Sequence, residues 1–314
     1  MSNTFSIAFY NLENLFDVEH NEYTLDKDFT PDGKLEWTQD RYSRKINNLS
    51  RVISTIGTKV ASLPPIFIGV AEVENKTCLD DLIYSDKLKP FNYDYIHYNS
   101  PDERGIDVAF LYQTKYFEVT HSNVYPLYLS DENNNRDYTR DILLISGKLF
   151  GEPIHIIVNH WPSRNNGTKN SNDKRIKAAE LVYEIMDEIC SDNEDPSFII
   201  MGDFNDEPSD KSINKLLLKG DLFNTTQALY EQKKGTSKHR GKWYLFDQII
   251  ISKRFLFDEN SKIKFQSTKI FDDHFLQEKS NKNRGAPKRT YIGKWHQGGY
   301  SDHFPVLAYF KKTL

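Results

Sequence analysis

Short apolar runs of strand length recur along this chain, and several end on a charged or chemically capable side chain. Ile66-Phe67-Ile68-Gly69-Val70-Ala71 delivers Glu72, and Ile154 to Val158 leads into Asn159-His160. Phe198 to Met201 is closed by Gly202 and opens onto Asp203-Phe204-Asn205, while Phe5 to Tyr10 runs into Asn11. Uninterrupted apolar runs of this length read as buried strands. A carboxylate at the end of such a strand must be partnered or bind a cation, because burying it bare is costly. If these ends gather on one edge of packed sheets, they form a site of carboxylates, amides and imidazoles.

Other segments read as supports. Tyr42, Ile46, Leu49, Ile53 and Ile56 recur at helical spacing, so 40–58 is expected to be an amphipathic helix. Residues 173–190 form another, with Ile176, Ala179, Tyr183 and Met186 on one face, and 210–219 a short third. Strands are expected at 93–98, 106–112, 142–149 and 198–206, at 243–251 around Asp247, and after Ser301-Asp302-His303. Residues 19–38 and 131–137 are polar loops. There is no internal repeat and no low-complexity linker.

Composition narrows the class. With 27% charged residues and no long apolar run, the chain is a globular protein with no membrane span. Its start lacks the basic and apolar regions of a signal peptide, and its two cysteines need no disulfide, which points to the cytoplasm. A net charge of -4 supplies no global basic field. Two local basic stretches stand out, 233–242 and 279–294. Such runs are most often solvated faces, but both lie between candidate site motifs and could form one lip of a cleft.

Each candidate residue has a plain structural alternative. Asp203 and Asn205 suit orientation of a water and hydrogen bonding to a reacting oxygen, yet Asp, Asn and Pro also build Asx-turns. Glu72 could pair with a helix arginine, and His160 could be a hydrogen-bonded structural histidine. Asp107, inside its strand, also needs a partner. Taken together, the strand-end groups suit metal-assisted phosphoester hydrolysis, in which carboxylate oxygens hold a hard cation such as Mg2+. Paired metal-spaced histidines and cysteine clusters are absent, which argues against zinc.

The motifs resemble those of the endonuclease/exonuclease/phosphatase superfamily, the DNase I-like fold. They are Asn11 in YNLEN, Glu72 in GVAEVEN, His160 in VNHWPSR, Asp203 and Asn205 in GDFND, Asp247 in FDQII, and SDH at 301–303, in family order. The resemblance implies a four-layer α/β/β/α sandwich formed as a single domain over 1–314. It implies Mg2+ or Mn2+ held by Glu72 with Asn11 and Asp302. Asp203 would orient or deprotonate the attacking water, and Asn205 and His160 would bind the phosphoryl group. His303 would contact the scissile phosphate, its ring held by Asp247. Arg104, Arg164, Lys288, Arg289 and Lys294 are candidate substrate contacts without a transferable role.

The expected protein is a monomeric, metal-dependent nuclease or phosphodiesterase acting on DNA or RNA. A phosphatase or phosphodiesterase for a small molecule or lipid headgroup is the alternative. A binding module that has lost catalysis is a third reading, and the complete residue set speaks against it.

Overall fold

The computed structural model describes residues 3–164, 168–192, 195–219, 221–280 and 283–313. Twelve strands build two six-stranded sheets. The first holds β1 (Thr4–Leu15), β2 (Phe67–Val73), β3 (Tyr93–His97), β4 (Asp107–Gln113), β11 (Ile263–Ile270) and β12 (Val306–Lys312), in the order β11-β12-β1-β2-β4-β3. The second holds β5 (Phe117–Tyr125), β6 (Ile142–Leu149), β7 (Glu152–His160), β8 (Phe198–Asp203), β9 (Leu222–Asn224) and β10 (Asp247–Ser252), in the order β9-β10-β8-β7-β6-β5. Each sheet has one parallel pair at its centre, β1 with β2 and β7 with β8, and antiparallel neighbours around it. A parallel pair needs a crossover, and helices supply it: α1 (Gln39–Thr55) between β1 and β2, α3 (Thr168–Asp192) between β7 and β8.

Alternation along the strands sorts the core into three layers. Phe5, Ile7 and Phe9 of β1 face Ile156, Val158, Ile199 and Met201 across the space between the sheets. Ala8, Tyr10, Ile68 and Val70 point the other way, onto Tyr42, Leu49, Val52 and Ile53 of α1 and Leu79 and Leu82 of α2 (Lys76–Ile83). Ile157, Phe198, Ile200 and Ile250 likewise meet Ala178, Val182 and Ile185 of α3, and Ile213 and Leu216 of α4 (Lys211–Lys219). The architecture is the expected α/β/β/α sandwich. Gly69 keeps the two sheets close: a Cβ there would lie 2.8 Å from Met201 Sδ.

Several expectations are corrected. The strand read over 243–251 is two elements, because Lys242–Tyr244 pairs with Ser237–His239 in a hairpin before the chain enters the sheet at Asp247. The strand read over 198–206 stops at Asp203. The first helix ends at Thr55, before Gly57 takes a left-handed φ of 76°. Edge strands β5 and β11 were not read from sequence, since half their residues face water and their alternation is diluted by polar side chains. Among the described residues, no helix is long and apolar enough to cross a membrane.

Candidate active site

All the strand ends carrying candidate groups lie at one end of the two sheets. The parallel strands β1, β2, β7 and β8 arrive there by their C-termini, bringing Asn11, Glu72, His160 and Asp203. Antiparallel β10 and β12 leave from there, so Asp247 and the Asp302-His303 pair join them. A pocket of about 500 Å³ opens at this end, lined by Glu72, His160, Asp203, Asn205, Asp302 and His303 among others.

The backbone is strained where it delivers these groups. Glu13, Asn14, Glu72 and Asn205 have φ of 53°, 53°, 64° and 50°, in the left-handed region that non-glycine residues rarely adopt. The bulge between β1 and β2 is the cause at the first three, because Leu12 to Asn14 lie opposite Glu72 alone. At the fourth, Asp203 Oδ1 accepts the Asn205 N–H at 2.9 Å. The Asx-turn and the site therefore coexist. The turn, and no extended two-residue repeat, gathers the Asp-Asn pair.

Asp203 is buried at the centre. Its Oδ2 accepts from Asn11 Nδ2 at 3.1 Å and lies 3.9 Å from Nε2 of both His303 and His160. Burial, then the Asp247 charge, raises its pKa to about 7, against the opposing pull of His303 and two hydrogen bonds. His303 Nδ1 is 2.6 Å from Asp247 Oδ2, and the hydroxyl of Thr236 donates to that same oxygen. Burial opposes the His303 charge, but Asp247, Asp203 and Asp302 outweigh it and hold the pKa well above the usual value. His160 goes the other way: burial, then the charges of Arg140, Arg104 and His303, keeps it well below. The two imidazoles are thus pushed in opposite directions, His303 towards its charged form and His160 towards its neutral one.

Glu72 Oε2 accepts the Asn14 N–H at 2.8 Å, while Oε1 comes no nearer to His160 Nε2 than 3.9 Å. Asp302 is bonded by Arg289, with Nη2 2.5 Å from Oδ2. Below them lies a buried charge network that sequence reading missed. Lys45 of α1 donates to Thr290 Oγ1 at 2.6 Å and the Tyr300 carbonyl at 2.7 Å, and lies 3.7 Å from Glu13 Oε2. Burial, then Asp302, raises the Glu13 pKa to about 7, with Lys45 opposing. Only the NLEN motif itself, with its one acid two residues after Asn11, could have signalled Glu13.

These residues suit a hard divalent cation. Glu72 and Asp302 line the pocket with oxygen donors, Glu13 lies 3.9 Å from the Arg289 that bonds Asp302, and burial with neighbouring carboxylates pushes Glu13 and Asp203 up to about 7. Asn11 lies beneath the pocket, its Oδ1 accepting the Glu13 N–H at 2.9 Å. Asp203, Asp247 and His303 also bring ligand atoms within 4.8 Å of one another. We read Asp247 and His303 as a hydrogen-bonded pair, with Asp203 Oδ2 3.9 Å from the far ring nitrogen, since two atoms on one Mg2+ stand about 3 Å apart or more. The 2.6 Å His303–Asp247 contact is too short to bracket an ion.

Comparison with known proteins then decides the family. A model of the endonuclease/exonuclease/phosphatase family matches residues 6–312. The chain belongs to that family. Its members are phosphoester hydrolases, and the coarse chemistry follows for this one. An endonuclease/exonuclease/phosphatase family protein from Bacteroides thetaiotaomicron is similar in structure, with a TM-score of 0.60 at 18% identity, over 99% of this chain and 98% of that one. A mannosyl-6-phosphatase from the same organism has a TM-score of 0.58 at 17% identity, over 98% and 99%. D. rerio TDP2 complexed with a single-strand DNA product has a TM-score of 0.60 at 13% identity, over 98% and 99%. No curated protein matches the sequence.

Within this family member the candidate substrate cations divide. Arg104 lines the pocket, bonds Asn14 Oδ1 and lies 3.8 Å from Glu72. Arg164 is turned inward instead, donating to the Asn205 carbonyl at 2.7 Å and to Asp206 at 2.8 Å, so it braces the GDFND turn. Arg175 of α3, fully buried, holds the same Asp206 at 2.8 Å. Arg289 is committed to Asp302. Lys288 faces a cleft with Arg51, Phe275 and Tyr300, and Lys294 lies exposed at a turn, neither lining the catalytic pocket. Lys282 of the same basic run lies outside the described residues. Asp107 has found its partners, His97 at 3.0 Å and the Ser100 hydroxyl at 2.5 Å.

Proposed function

We propose that the chain is a metal-dependent phosphodiesterase, acting as one domain, that cleaves a nucleic-acid strand by in-line attack of water. A Mg2+ or Mn2+ ion held by Glu72 and Asp302, with Asn11 and Glu13 behind them, would neutralise phosphate charge and ease departure of the leaving oxygen. Asp203, with its pKa near neutrality, accepts the proton of the attacking water. His303, kept charged by Asp247, donates to a phosphoryl oxygen as negative charge builds there. Neutral His160 and Asn205 supply further donors from the pocket wall. Asn205 already gives one N–H to the Trp161 carbonyl at 3.0 Å and has a second to offer.

The observation carrying the substrate is a second cleft, of about 330 Å³, that shares Asp302 with the catalytic pocket. Lys238, His239 and Arg240 line it from one basic stretch, and Pro287 and Arg289 from the other. A substrate extending past the scissile phosphate has a basic path to follow. The small-molecule reading keeps one support of its own. The catalytic pocket is lined by six acids, Glu72, Asp102, Glu103, Asp137, Asp203 and Asp302, against Arg104, Arg140 and Lys174. Its similarity to a mannosyl-6-phosphatase points the same way.

The test is a substrate panel of single-stranded oligonucleotides, a small phosphodiester, and phosphomonoesters including a sugar phosphate, each with Mg2+ and with EDTA. Strand cleavage that EDTA abolishes is the expected result. Turnover of the monoesters alone would move the assignment to the small-molecule reading, and full activity in EDTA would remove the metal from the mechanism.

A further inference from the structure

The segment 233–242 carries five lysine or arginine residues and no acid, in a chain whose net charge is -4. None of the five, Lys233, Lys234, Lys238, Arg240 and Lys242, has a carboxylate within 4.0 Å among the described residues. Two of them sit over aromatic rings. Lys238 Nζ lies 5.3 Å from the Trp243 ring centre and Lys242 Nζ 4.7 Å from that of Tyr244.

The segment is also held rigidly. Thr236 N–H donates to the Tyr244 carbonyl at 2.8 Å, Lys234 N–H to the Leu229 carbonyl at 3.0 Å, and Ser237–His239 pairs with Lys242–Tyr244. Trp243 stacks on buried Phe304 at 6.1 Å, next to His303. Five cations are thereby presented on a fixed frame beside the reacting groups. One cleft that they line is the one meeting the active site at Asp302. Another, of about 520 Å³, is lined by Lys233, Lys234 and Lys242 with Tyr230, Trp243, Glu207 and Glu231, and shares no residue with the first or with the catalytic pocket. Three lysines there face two acids: the Glu231 carboxylate accepts from Gln227 at 3.0 Å, and burial raises the Glu207 pKa while Lys242 lowers it.

We propose that this second basic cleft is a non-catalytic binding site for single-stranded nucleic acid, engaging phosphates and a base several nucleotides from the bond that is cut. Lys233, Lys234 and Lys242 meet the backbone, and Tyr230, beside the edge of Trp243, offers a ring on which a base can stack irrespective of sequence. The inference rests on the strand-cleaving reading and names a part of the molecule that the reaction itself does not need.

The experiment measures binding and cleavage separately. Anisotropy of a labelled 20-nucleotide strand is followed across a salt series with Asp203→Asn protein, alone and combined with Lys233→Gln, Lys234→Gln and Lys242→Gln. Cleavage of the strand and of a dinucleotide is measured with and without the three lysine changes in otherwise wild-type protein. Each lost phosphate contact reduces the slope of log affinity against log salt by about 0.7. The expected result is a slope shallower by about 2 units and at least tenfold weaker binding of the long strand, with dinucleotide turnover unchanged. Wild-type affinity and slope in the triple variant would overturn the site while leaving strand cleavage standing. Absence of any nucleic-acid cleavage by wild-type protein would overturn the function on which it rests.

Discussion

The charge on His303 is set by three carboxylates from three places in the chain, Asp203, Asp247 and Asp302, and only Asp247 touches the ring at hydrogen-bond distance. Asp247→Asn keeps the shape and removes the charge. We expect kcat to fall about 100-fold or more, with metal affinity unaltered. His303→Ala and the double variant should lose no more than the larger single loss, because groups acting as one unit are non-additive. Fully additive losses would show that the two residues work apart. A second residue makes a prediction about pH. Asp141, at the entry to β6, has an Oδ1 without a hydrogen-bond partner among the described residues. Burial, then the Asp107 charge, raises its pKa from an ordinary 3.8 to about 6. The folded protein therefore holds this proton more tightly than the unfolded chain. That contribution is complete below pH 3.8 and lost as pH rises through about 6. Asp141→Asn should gain on wild type by about 2 kcal/mol between pH 4 and pH 8, read from melting curves at both. An equal difference at the two pH values would mean that Asp141 carries no strain.

At the scale of elements, the site depends on how closely β7 and β8 approach. Gly202 pairs with Asn159, and a Cβ on it would sit 2.4 Å from the Asn159 carbonyl oxygen. That obstacle is backbone in the middle of a sheet and cannot swing aside. Gly202→Ala should cost about 1–3 kcal/mol and lower Tm by several degrees. It should also reduce kcat by displacing Asp203, the next residue. Wild-type Tm and turnover would show that the pair separates without penalty. Elements of this kind were legible in the sequence because their signal is local. Phe198 to Met201 announces a buried strand by composition, and Tyr42, Leu49 and Ile53 announce α1 by spacing. The hairpin of 237–244 was not legible, because its two strands are three residues each and the apolar run after it hides the break at Leu245-Phe246.

Across the whole molecule, the sandwich brings residues from position 11 to position 303 to one end of two sheets. Six motifs in family order were enough to suggest the family and, through that resemblance, the layer architecture, and the apolar runs were enough to mark the strands that end on chemical groups. Asn11, Glu72, His160 and Asp203 could be named from the runs they end, and Asn205, Asp247, Asp302 and His303 from the motifs they stand in. Where the long charged side chains go became legible only in the packed fold. Lys45 reaches Thr290, 245 positions away, and turns an ordinary helix lysine into a buried counter-charge for Glu13. Arg289, which read as part of a solvated run, closes on Asp302, while Arg164 leaves the pocket wall to hold Asp206. Composition and spacing carry no record of these pairings. A lysine or arginine stem spans several ångströms with many rotamers, and its partner is chosen by which carboxylate the packed sheets leave within reach.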